Sequence, residues 1–105
     1  MLIEINTDTN IEGDNTLTQQ VKDMVSNALD HYSEHITRIE VYLSDENSDK
    51  KTGINDMRCL LEVTLTGLEP VVVSHQAETI AQAVDGAADR MKRSLTSALK
   101  ESASH

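Results

Sequence analysis

Residues 29–43 read LDHYSEHITRIEVYL, and within them the spacing of apolar side chains changes from helical to extended. On the N-terminal side Leu17, Val21, Met24, Val25, Ala28 and Tyr32 recur every three or four residues, which places them on one stripe of a helix over 17–33. From Ile36 the period is two. Ile39, Val41 and Leu43 point one way, and Arg38, Glu40, Tyr42 and Ser44 the other, as in a half-buried strand.

Working outward, residues 2–6 carry Ile3 and Ile5 on one face and suit a first strand, and the polar 7–15 (TDTNIEGDN) reads as a connection. Thr16 and Gln19 match a capping box at the start of the first helix. After the strand that opens at Ile36, residues 45–55 (DENSDKKTGIN) are polar and charged and read as a loop. Met57, Cys59, Leu61, Val63 and Leu65 then alternate with Arg58, Leu60, Glu62 and Thr64 in a strand, 67–70 make a turn, and the β-branched 71–74 form a short fourth strand. The last segment, 78–100 (ETIAQAVDGAADRMKRSLTSALK), aligns Ile80, Val84, Ala87, Ala88, Met91, Leu95, Ala98 and Leu99 on one broad helical stripe. The order is β-α-β-β-β-α. It predicts an α+β two-layer sandwich, a four-stranded mixed sheet with two helices packed on one face and a right-handed parallel crossover for the first strand-helix-strand unit. Residues 1–100 form one domain in this reading, and 101–105 a frayed tail.

The chain of 105 residues holds 18 acids against nine Lys and Arg, a net charge of −9. Such a balance opposes generic affinity for DNA or an anionic membrane, because both need a field of the opposite sign. The N-terminus MLIEINTDTN lacks a basic region and a long apolar run, and no stretch reaches the roughly 18 apolar residues of a membrane span, so a soluble cytoplasmic protein is expected.

The chemical motifs are weak. His31 and His35 are four apart, but no third ligand points to the same place, so no metal is expected. Asp45, Asn47, Asp49 and Asp56 fall on a calcium-loop template that fails at Lys50, where the sharp turn needs Gly, and at Asp56, where Glu is the bidentate ligand. Cys59 alternates with core residues and reads as one of them. With no phosphate loop, nucleophile elbow or marked carboxylate pair, the chain reads as a non-enzyme without a cofactor. Tyr42 is the one aromatic on an outward strand face, too few for base stacking on a sheet.

Two separated motifs carry a family resemblance. Leu29, Tyr32, Ile36, Ile39, Val41 and Leu43 repeat a pattern of the ribosome hibernation-promoting factors and ribosome-associated inhibitors, and Val84-Asp85-Gly86 with residues 89–96 (DRMKRSLT) resembles their last helix. The resemblance implies the β-α-β-β-β-α fold and a protein that docks on the small ribosomal subunit, in the channel for mRNA and tRNA, and silences idle ribosomes under stress. It also implies basic residues on both helices that contact rRNA phosphates. Carried onto this chain these are Lys22, Arg90, Lys92, Arg93 and Lys100, with Arg38 and Arg58 as weaker sheet-face candidates. The chain resembles the short form, without the additional C-terminal domain of the long members.

No acid lies between Arg90 and Lys100, which favours a binding face. Early acids and late bases also complement a helix macrodipole, so the same charge order suits a solvated helix. A second function class follows from the net charge: a protein-protein interaction module that keeps the fold and meets a basic partner through the acidic first helix or the bare sheet face.

Overall fold

Two alternating strands make the centre of the molecule. In the computed structural model, which describes residues 2–8, 15–45 and 56–103, β2 (Ile36–Asp45) pairs antiparallel with β3 (Met57–Leu65). The register sets Ile39 opposite Val63, Val41 opposite Leu61 and Leu43 opposite Cys59, so all the apolar positions fall on one face. A slip of one residue would turn that whole set to solvent. Strand β1 (Leu2–Thr7) lies parallel to β2, and β4 (Val71–Ala77) antiparallel to β3, giving the sheet order β1-β2-β3-β4.

Helices α1 (Asn15–Leu29) and α2 (Ile80–Ala103) close the apolar face. Val21, Val25 and Leu29 from α1 and Val84, Ala87, Met91 and Leu95 from α2 share one buried cluster with the inward strand residues. This is the expected α+β sandwich with the expected element order, and the sheet is mixed as expected. Among the described residues no helix is long and apolar enough to cross a membrane.

The element boundaries differ in informative places. The α-helix of α1 ends at Leu29, and residues Asp30–His35 continue as a 3-10 segment, from which Tyr32 still packs against the core as expected. At three residues per turn, His31 and His35 point about 120° apart instead of sharing a face, and both are exposed. Thr16 and Gln19 do not form the predicted box. Both lie inside α1, and the Gln19 amide donates instead to Asp23 Oδ1 at 3.0 Å.

The cap is found on α2, where Thr79 Oγ1 accepts from the Gln82 N–H at 3.1 Å and the Thr79 carbonyl accepts from Ala83 N–H at 2.9 Å. Strand β4 runs three residues beyond Ser74, because His75 and Gln76 keep the ladder opposite Cys59 and Arg58. Helix α2 continues past Lys100 to Ala103. The first connection over 9–14 and most of the calcium-like loop, 46–55, lie outside the described residues.

Candidate nucleic-acid interface

The candidate cations divide according to how α2 is seated. Met91 and Leu95 are fully buried and fix the helix against the sheet. At about 100° per residue, Arg90 and Lys92 then fall about 100° to either side of Met91, while Arg93 and Lys100 point away from the sheet. All four side chains are exposed. Arg90 and Arg93, three apart, are neighbours on one side of the helix, with Lys100 two turns further along. Lys92 occupies the opposite flank.

Neighbouring elements identify the two flanks. On the Lys92 side, the Tyr32 hydroxyl lies 2.7 Å from the Thr96 hydroxyl and 3.3 Å from the Lys92 carbonyl, which also accepts from Thr96 Oγ1 at 2.9 Å. These contacts tie the 3-10 segment to α2. On the Arg90 side the helix borders β4. One turn before Arg90, Gly86 sits so close to His75 that a Cβ there would fall 2.1 Å from the imidazole Cδ2. Absence of that carbon lets α2 descend onto the sheet edge. Beside this contact, Arg58, Ser74, His75, Gln76 and Arg90 line a cleft of about 430 Å³.

The cations are not equally available. Arg93 donates to Asp89 Oδ2 at 2.7 Å in an exposed pair four residues apart. Pairs of that kind contribute only about 0.3–0.5 kcal/mol, so a phosphate could displace the carboxylate at small cost. Arg90 and Lys92 make no ion pair with the described residues, whereas Lys100 is engaged within the protein. Lys22 is half-buried on α1, apart from the α2 group.

On the open face of the sheet Arg38 is clasped by Glu4 and Glu40, both at 2.8 Å, and the hydrogen bond it donates to Glu4 leads the effects that raise its pKa. Its donors are thus turned toward its own strands. Tyr42, on the same face, donates to Glu40, a bond that raises the phenol pKa. Among the described residues Leu2, Tyr42 and Val72 are the exposed large apolar side chains, and all three lie on this face.

Sequence reading did not single out Ser74, His75 and Gln76, since polar residues after a β-branched run looked like a strand end. The signal was present: Val71, Val73, His75 and Ala77 continue the inward alternation. Cys59 is fully buried, and loss of hydration pushes its thiol up to about 12, so it carries no nucleophile. Among the described residues no group of three or more metal-ligating side chains comes together.

Comparison with known proteins gives a consistent picture. The model of the family described as Sigma 54 modulation protein / S30EA ribosomal protein matches residues 5–101. No curated protein matches the chain. Among solved structures, the Protein Y N-terminal domain of Thermus thermophilus is similar with a TM-score of 0.71 and 22% identity, over 90% of this chain and 94% of that one. A ribosomal subunit interface protein from Coxiella burnetii is similar with a TM-score of 0.74 and 12% identity, over 95% and 99% of the two chains. At these identities the two structures attest the fold.

Proposed function

The chain belongs to the Sigma 54 modulation protein / S30EA ribosomal protein family, and from that premise we propose that it binds the small ribosomal subunit in the mRNA and tRNA channel and inhibits translation in idle or stressed cells. The observation that carries this reading is the family match over residues 5–101, which includes both β2 and the whole cationic part of α2. The name of the Coxiella burnetii neighbour, a ribosomal subunit interface protein, points the same way.

The action requires no covalent chemistry. A folded domain held in the channel excludes mRNA and tRNA by occupying their space. Arg90 and Arg93 along one side of α2 are the leading rRNA contacts, with Lys100 further along the helix, Lys92 on the other flank and Lys22 on α1 as outer ones. A rigid helix suits the task, since it presents guanidinium groups to phosphates without first ordering a loop. With these five cations each meeting a phosphate, the logarithm of affinity should fall with the logarithm of salt at a slope between about −3.5 and −4.5, and less steeply if fewer engage.

Sedimentation with purified small subunits tests the reading. We expect co-sedimentation at low salt that declines at moderate salt, and a marked loss for Arg93→Glu, which reverses a charge on the leading face. Absence of wild-type protein from the subunit peak at low salt would overturn it.

A further inference from the structure

The cleft at the β4 edge beside α2 has a composition at odds with the rest of the chain. Acids outnumber bases two to one overall, 18 against nine. Yet the described residues lining the cleft are two arginines, a histidine, a serine and a glutamine, and none of these is acidic. Three elements supply them. Arg58 comes from β3, Ser74, His75 and Gln76 from β4, and Arg90 from α2. In the strand ladder Arg58 sits opposite Gln76, and β4 is the outermost strand, so its far edge is unpaired within the sheet.

Two features shape the site. The contact of Gly86 with the His75 ring holds the imidazole against the helix and brings α2 low enough for Arg90, one turn on, to border the strand edge. Arg90 makes no ion pair with the described residues, and Asp89, its neighbour in sequence, is engaged by Arg93. The exposed guanidinium is therefore the leading donor, and Arg58, which is engaged within the protein, adds positive charge from the other side.

We propose that this cleft is a phosphate-binding site, with Arg90 as the charged donor, Arg58 adding positive charge beside it, and Ser74, His75 and Gln76 as the hydrogen-bonding groups. The Arg90 guanidinium with a hydroxyl, an imidazole and an amide offers more donors than a carboxylate can accept, and these match the several oxygens of a phosphate group. The inference rests on the ribosome reading for the source of that group, an RNA backbone phosphate. It extends the contact surface from the helix onto the sheet edge.

The test is an NMR titration of the full chain with inorganic phosphate, with a short single-stranded oligoribonucleotide, and with acetate at matched ionic strength. We expect saturable shifts of the Ser74 and Gln76 amides and of the His75 imidazole with phosphate and with the oligonucleotide, but not with acetate. Arg58→Gln and Arg90→Gln should each weaken binding about tenfold or more while leaving the core amide pattern unchanged, and Arg90→Lys should restore part of the loss. Equal shifts with acetate, or unchanged affinity in both glutamine variants, would overturn the site. The two readings fail separately. Wild-type protein that sediments with subunits but shows no phosphate shifts removes the cleft alone. Saturable shifts in a protein that never sediments with subunits support the cleft and remove the ribosome as the source of its phosphate.

Discussion

Cys59 lies between Leu43 and His75 in the strand ladders and is fully buried. Its thiol is pushed up to about 12 by loss of hydration, whereas in an unfolded chain it titrates near 8.5. Between those values the unfolded chain gives up the proton and the folded one keeps it. Stability from this residue is therefore undiminished below about pH 8.5 and falls above it, by up to about 1.4 kcal/mol per pH unit. Urea midpoints from pH 7.5 to 10 should drop more steeply for wild type than for Cys59→Val, and equal slopes would show that the thiol ionises in the native state. Its inward position was legible in the sequence, because five apolar residues alternate without a break from Met57 to Leu65. The contact of Gly86 with His75 was not. It joins residues of two elements whose separation only the packed structure defines.

At the scale of elements, the ends of the helices were the least legible parts. Strand β3 runs from Met57 to Leu65, as its alternation predicts, since both faces declare themselves. Helix α2 starts two residues after Glu78 because Thr79 caps it, and the Thr-Ile-Ala-Gln spacing that signals this was present in the sequence at 79–82. Thr79→Ala should lower stability by about 1 kcal/mol, since it leaves the first-turn N–H of Gln82 without its partner. Denaturant unfolding measures that loss, and a change within a few tenths would show that water replaces the cap. Tyr32 was read as a residue of the apolar stripe. The structure gives it a second role, since its hydroxyl reaches Thr96 and spans two elements. No local pattern contains that distance.

For the whole molecule, sheet order follows chain order, and this explains why so much of the fold could be read locally. Each strand pairs with the next one along the chain, and the β1-to-β2 pair alone needs a crossover helix. The cationic residues of α2 were also legible as a group, but their division between two flanks was not. That division depends on Tyr32 flanking one side and β4 the other. The separation of charge has a kinetic consequence. Arg90 and Arg93 share one side of a molecule whose net charge is −9, so beyond a Debye length of about 8–10 Å an RNA surface meets it as an anion. Repulsion then limits encounter while short-range contacts retain the complex. Added salt should accelerate association in stopped-flow mixing with small subunits and accelerate dissociation more steeply. A partner held chiefly by long-range attraction would instead associate more slowly as salt rises.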